Sequence, residues 1–221
     1  MSHYNWYQYN ISNLILSKKL IKFNRKYKIN YIEKDLYNHV RDLFCTTLVL
    51  RKNSKKKINL LDYGSNLLAL SNIISKIDVN QYNFNIFDPF SKKNRVVLKP
   101  FKINFLTKSV DLKKQKFHII NFGSSLQYLT NINVIKKELN FKTINTIIIT
   151  NTPITLKKKY ISKQSNHKKL IQNIHSLNEI KKVFKDLGFN MVFVSRNDDK
   201  YVACKTKKSE TYSLNLLFIK N

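Results

Sequence analysis

The sequence predicts an α/β fold built on an open, mostly parallel β-sheet. Three observations predict it. Apolar runs of four to seven residues alternate along the chain with segments of helical periodicity, the pattern of buried strands joined by crossover helices. Two of only three glycines stand just past such runs. Late in the chain, two apolar runs are joined by a polar stretch, 196–213, with no helical pattern in it. That last pair is expected to be antiparallel.

The elements follow in order. Residues 11–23, ISNLILSKKLIKF, place apolar side chains at helical spacing with lysines between them. This suits either a cover over the main core or a basic helix lying on a membrane surface. Residues 31–50 read as a second helix, with Ile32, Leu36, Val40, Leu43 and Phe44 on one stripe. Residues 1–50 are thus an N-terminal helical segment packing on the core. The charged stretch RKNSKKK opens the main domain, 51–221. Strands are predicted over 58–61, 84–87, 96–98, 103–106, 117–122, 143–149, 191–195 and 214–219. Helices are predicted over 66–77, 131–139 and 177–187. No internal repeat is visible.

The chain has 221 residues and 43% hydrophobic content, enough for a real core. Its net charge of +28 suggests a polyanionic partner such as nucleic acid. However, 36 of the 41 basic residues are Lys. Dedicated nucleic-acid readers lean on Arg, whose planar fork matches phosphates and guanine edges. Lys, Asn, Ile, Tyr and Phe all have A- and T-rich codons, and a biased genome produces this profile by itself. The charge is therefore read mainly as drift on solvated faces.

Other chemistries find little support. Cys45 and Cys204 are far apart and lack the spacing of a zinc site or disulfide framework. No Walker A motif is present. The N-terminus lacks the pattern of a secretory signal, and no apolar run reaches the ~18 residues of a membrane span. A soluble, cytoplasmic protein is expected.

The three glycines are informative because they are so few. Gly188 follows a helix and precedes a strand, where a left-handed C-cap is wanted. Gly64 and Gly123 each follow a buried strand. In open α/β sheets, ligands bind outside those strand ends. Either glycine serves a tight turn or lets a ligand approach the backbone. Asp62 and Asp88 also stand directly after apolar runs, one βαβ unit apart. Asp62 reads as a site residue, a turn residue or a helix cap. Asp88 is placed either to accept hydrogen bonds from two ribose hydroxyls or to form a turn before Pro89.

The residues LLDYG, then FDP, then FHIINFGSSLQYL, resemble a class I S-adenosylmethionine-dependent methyltransferase domain over roughly 30–220. The stretch Ser124–Leu129 is similar to the SSxLQY signature of a family of bacterial methyltransferases. Some members of that family are encoded among surface-polysaccharide genes. Thr152, Pro153 and Gln164 also match its downstream pattern. The resemblance implies a Rossmann-like three-layer αβα fold, with a seven-stranded, mostly parallel sheet and an antiparallel last strand. It implies S-adenosylmethionine as cofactor and a small-molecule or surface-glycan-related acceptor. Asp62, Tyr63, Gly64, Ser65 and Asn66 would border the methionine part of the cofactor, and Asp88 its ribose. Phe122, Gly123 and Ser124 would line its reactive end, while Ser125 and Gln127 would face the acceptor.

The first loop departs from the family pattern. Ser65 and Leu68 stand where glycine is expected. Thr150-Asn151 replaces an acidic-basic pair. A chain that had lost its cofactor and become a basic RNA- or ribosome-binding module is the alternative. No acid or histidine lies within SSLQYL, so no general base is evident there. His118 reads as a sheet residue. His167 and His175 lie in the polar stretch after Gln164, either solvated or near the strand ends.

Overall fold

The computed structural model describes residues 57–64, 82–87, 103–164, 167–196 and 208–221. The N-terminal segment 1–50, the helix over 66–77 and the strand over 96–98 lie outside the described residues, as do Ser65, Asn66, Leu68, Asp88, Cys45 and Cys204.

Seven strands form one sheet. They are β1 (Ile58–Tyr63), β2 (Tyr82–Phe87), β3 (Ile103–Leu106), β4 (Ile119–Gly123), β5 (Thr146–Thr155), β8 (Phe189–Arg196) and β9 (Thr211–Lys220). Their spatial order is β3-β2-β1-β4-β5-β9-β8. The first five are parallel, and β9 runs antiparallel between β5 and β8. The expected seven-stranded, mostly parallel sheet with an antiparallel last strand is therefore what forms. Chain order reverses between β1 and β4, the switch point where such sheets open a crevice.

Strand periodicity decides which side chains reach that crevice. Leu61 and Tyr63 of β1, with Ile120 and Phe122 of β4 and Ile147 and Ile149 of β5, join one buried cluster. The helices α1 (Ser109–Lys114), α2 (Val134–Glu138) and α3 (Leu177–Lys185) add Leu112, Ile135, Ile180, Val183 and Phe184 to it. Each such side chain gives about 1.5–3 kcal/mol when fully buried. Residues of opposite parity, Asp62 and Asn121, then face the other side of the sheet together. The abundant asparagines are used as cross-strand pairs: Asn83 donates to Asn59 at 2.8 Å, and Asn104 donates to Asn85 at 3.1 Å.

The ends of α3 are set by local chemistry. The Ser176 hydroxyl accepts from the Glu179 amide at 3.1 Å, capping the N-terminus. Gly188 closes the other end at φ +84, the expected left-handed cap. The helix stops at Lys185, two residues short of the predicted 187, because Leu187 and Gly188 already belong to that closing turn.

Two differences from the sequence reading matter for function. The strand predicted over 143–149 starts at Thr146 and continues through Asn151 and Pro153 to Thr155. The proline is tolerated because β4 stops pairing with β5 at Thr150. Beyond it, the polar stretch after Pro153 is an antiparallel hairpin, β6 (Tyr160–Gln164) and β7 (His167–Ile174), forming a separate two-stranded sheet. Its inward residues are largely polar, so hydrophobic alternation did not mark it.

Candidate cofactor and acceptor site

The ends of β1 and β4 bring Asp62, Gly64, Gly123, Ser124 and Ser125 together. Asp62 and Asn121 are 2% and 3% exposed. The Asn121 amide donates from Nδ2 to Asp62 Oδ1 at 2.8 Å. The other Asn121 atom, Oδ1, is buried without a hydrogen-bond partner. A buried acceptor left in that state costs about 1–3 kcal/mol. Beside this pair lies Gly123. A Cβ built there would stand 3.2 Å from Asn121 Nδ2 and 3.9 Å from Asp62 Oδ1. Gly123 thus keeps the backbone low beside the Asp62–Asn121 pair.

Gly64 has a different reason. Its φ is +73, and its amide donates to the Phe87 carbonyl at 2.8 Å. A Cβ there would sit 2.6 Å from Ser125 Cβ. The missing side chain makes room for Ser125, so it is the Ser124-Ser125 loop that approaches this backbone most closely.

Ser124 holds φ +54, unusual for a residue with a side chain. Its amide donates to the Thr150 carbonyl at 2.9 Å, and its hydroxyl donates to the Asn151 carbonyl at 2.7 Å. Asn151 itself is left-handed, at φ +47. Its amide donates to Asn215 Oδ1 at 2.9 Å, and its Oδ1 accepts from the Ser213 hydroxyl at 2.8 Å. The end of β4 is therefore tied to a bend within β5, which β9 braces. Strained backbone that is over-determined in this way gathers at functional sites.

After Ser125 the chain makes a 3-10 turn, Leu126–Tyr128. Ser125 and Gln127 are 5% and 4% exposed. Ser125 Oγ and Gln127 Oε1 are both buried without a partner. Tyr128 donates through its hydroxyl to Gln164 Oε1 at 2.9 Å, linking the turn to the hairpin.

His175 is 1% exposed and clasps the same turn. Its Nε2 lies 3.2 Å from the Leu126 carbonyl and 3.1 Å from the Leu129 carbonyl. With two carbonyls to serve, that nitrogen carries the proton. Its Nδ1 is 3.4 Å from Glu179 Oε2. Burial lowers its pKa from 6.5, only partly opposed by Glu179. His175 is a buried strut with both ring nitrogens engaged, not a solvated side chain. His118 stands just before β4, and its Nδ1 accepts from the Asn59 amide at 2.9 Å.

Tyr63 and Phe122 contribute main chain to the strand ends, while their side chains serve the core. The Tyr63 ring packs against Phe87 and Phe122 at centroid distances of 5.0 and 5.3 Å. Its hydroxyl donates to Glu138 at 2.6 Å. Burial and that carboxylate push the Tyr63 pKa well up. Asn121 was not singled out from the sequence, and Asn151 only as part of the Thr150-Asn151 departure from the family pattern. Only their positions, two before Gly123 and just past the run TIIIT, could have signalled them.

Solved structures with the same architecture can be compared with this one. Magnesium protoporphyrin IX methyltransferase from Synechocystis PCC 6803, with S-adenosylmethionine bound, matches with TM-score 0.54 at 14% identity, over 95% of this chain and 97% of that one. The 1,6-didemethyltoxoflavin-N1-methyltransferase of Burkholderia thailandensis, with 1,6-didemethyltoxoflavin and S-adenosylhomocysteine bound, matches with TM-score 0.55 at 10% identity, over 94% and 88%. This is the S-adenosylmethionine-dependent methyltransferase fold. A third methyltransferase of this kind, from Clostridium acetobutylicum ATCC 824, matches with TM-score 0.53 at 13% identity, over 92% and 98%. No protein-family model matches the chain, and no curated protein does. At these identities the likeness establishes the methyltransferase fold alone. Among the described residues no group of three or more His, Cys, Asp or Glu could hold a metal, and no helix is long and apolar enough to cross a membrane.

Proposed function

We propose that this chain is an enzyme that takes a methyl group from S-adenosylmethionine and passes it to a small-molecule or surface-glycan-related acceptor. The SSxLQY-like turn supports the finer family reading, and a cytoplasmic setting belongs to the same proposal. The observation that carries it is the Asp62–Asn121 pair beneath Gly123. It presents a carboxylate and an unpartnered amide oxygen at the switch point of a methyltransferase-type sheet.

Those residues fit the cofactor chemically. The methionyl end of S-adenosylmethionine carries an ammonium, which needs hydrogen-bond acceptors. Asp62 and Asn121 Oδ1 supply them, while the main chain of Tyr63, Gly64 and Ser65, with Asn66, borders the same part. Asp88 takes the ribose hydroxyls. Phe122, Gly123 and Ser124 line the reactive end with backbone.

When bound, the cofactor supplies a methyl group on a positively charged sulfur, ready for in-line displacement. The chain's part is alignment, which can supply much of the rate of a two-substrate reaction. Ser124, locked to Asn151, fixes the course of the segment that carries Ser125 and Gln127. His175 holds that turn with both ring nitrogens engaged, Nε2 by the Leu126 and Leu129 carbonyls and Nδ1 by Glu179, so neither is turned to the acceptor's proton. Among the described residues the turn itself offers no base. The acceptor atom therefore arrives with a lone pair free, or loses its proton to water.

A thermal-shift titration with S-adenosylhomocysteine tests the proposal. Ligand that binds the native state raises the melting temperature, and the rise grows with the logarithm of ligand concentration above Kd. A rise in wild type that shrinks in Asp88→Ala supports it. No rise at millimolar ligand contradicts it.

A further inference from the structure

The β6–β7 hairpin lies outside the main sheet, between β5 and α3. A hairpin kept only for stability would turn apolar residues inward. This one alternates strictly along β6, with Tyr160, Ser162 and Gln164 buried and Ile161 and Lys163 exposed. Across from Ser162 stands Gln172, also buried. The inner face is therefore mostly amides and hydroxyls, while Ile161, 68% exposed, looks outward.

The inner face meets the turn that carries the orphaned polar atoms. Tyr128 bonds Gln164. One residue back, Gln127 Oε1 is buried without a partner, and two before that, so is Ser125 Oγ. Ser125 also packs against Gly64 at the end of β1. The segment 125–128 thus spans from the proposed cofactor end to the hairpin, and two of its polar side chains, each more than nine-tenths buried, carry an oxygen without a hydrogen-bond partner.

We propose that the turn and the hairpin together form the acceptor site, and that it reads an uncharged group bearing O–H or N–H donors. This rests on the methyltransferase reading above. An amide oxygen can only accept, so Gln127 Oε1 calls for a donor on the ligand. Ser125 Oγ can accept a second bond or return one. Both orphaned groups are uncharged, in a chain of net charge +28. The side chains described as buried on the hairpin's inner face are Tyr160, Ser162, Gln164, Gln172 and Ile174, none of them charged. Lys159 reaches the far edge of the turn, where it donates to the Thr130 carbonyl at 2.7 Å, and further lysines line the hairpin's base. A cavity of about 670 Å³ at the hairpin's base is lined by Lys157, Lys158 and Lys208 with Leu156, Ser176 and Asn178. Lys208 is placed there by its amide, which donates to the Tyr160 hydroxyl at 3.3 Å. Tyr160 is the first residue of β6 and Gln164 the last, so these lysines flank the opposite end of the strand from Tyr128. An anionic acceptor group would set one hydrogen-bond acceptor against another at Gln127 Oε1 and leave that oxygen unpaired.

The test uses the full chain with S-adenosylhomocysteine and two matched probe pairs in saturation-transfer NMR. The pairs are benzamide against benzoate, and methyl glucoside against glucose 6-phosphate. The neutral members should bind, and Gln127→Met and Ser125→Ala should each weaken them about tenfold, the scale of one lost buried hydrogen bond. Gln127→Met should also melt at or above the wild-type temperature, since it removes an unsatisfied buried oxygen at nearly constant volume. Four results would each overturn the proposal: binding of the anions only, no binding by any probe, neutral binding unchanged in both variants, or a Gln127→Met protein that melts markedly lower or fails to fold. Titration of S-adenosylhomocysteine alone separates the two readings. If it fails while neutral probes bind, the cofactor assignment falls and the pocket stands; the reverse sinks the pocket only.

Discussion

The Ser124 hydroxyl donates a 2.7 Å hydrogen bond to the Asn151 carbonyl, and both residues hold left-handed backbone. The bond joins the end of β4 to the bend within β5 where the two strands stop pairing. It offsets part of the cost of two non-glycine residues at positive φ. Ser124→Ala should lose that bond and keep the strain, costing about 1–2 kcal/mol. Ser124→Gly should lose the bond but relieve the strain, and come out closer to wild type. Urea denaturation midpoints decide between them. Equal losses would mean that the strain is not real.

The two strand-end glycines should respond differently to Ala. Gly64→Ala places a Cβ 2.6 Å from Ser125 Cβ on a backbone of φ +73. It should cost about 2–4 kcal/mol through overpacking and strain together. Gly123 lacks the positive φ, and its nearest contact would be 3.2 Å, to the Asn121 amide. Gly123→Ala should cost less than about 2 kcal/mol, while lowering S-adenosylhomocysteine affinity by crowding the Asp62–Asn121 pair. Thermal melts with and without ligand check both halves.

His175 should make stability sensitive to mild acid. Its folded pKa lies below the ordinary 6.5 because burial disfavours the imidazolium. The unfolded chain therefore takes up a proton first. The contribution of the neutral ring is fully present above 6.5, drains as the pH falls through that value, and levels off below the folded pKa. The wild-type melting temperature should fall further between pH 7.5 and 5.5 than that of His175→Gln, measured in the same buffers. Identical falls would show that the ring does not titrate against folding.

Much of this architecture was legible in the sequence because buried parallel strands are short apolar runs, and FHIINF and TIIIT are hard to read otherwise. The antiparallel last pair followed from a connection without a helical pattern. Gly64 and Gly123 were legible through their rarity, although the chain itself, as Ser125, takes the space at Gly64. The hairpin was not legible. Its strands YISKQ and HKKLIQNI bury polar residues, and hydrophobic periodicity cannot see a polar face. Asn121 was hidden by composition, since in so asparagine-rich a chain it does not stand out until Asp62 is seen beside it. Asn151 was legible only as a departure from the family pattern, and its tie to Ser124 was not.

The Asp62–Asn121 pair carries the central claim, and calorimetric titration of S-adenosylmethionine into wild type and Asn121→Ala tests it most directly. The account predicts saturable binding at one site in wild type. It predicts at least about tenfold weaker binding in Asn121→Ala, equivalent to about 1.4 kcal/mol. No heat from a folded wild-type sample, or equal affinity in the two proteins, would contradict it.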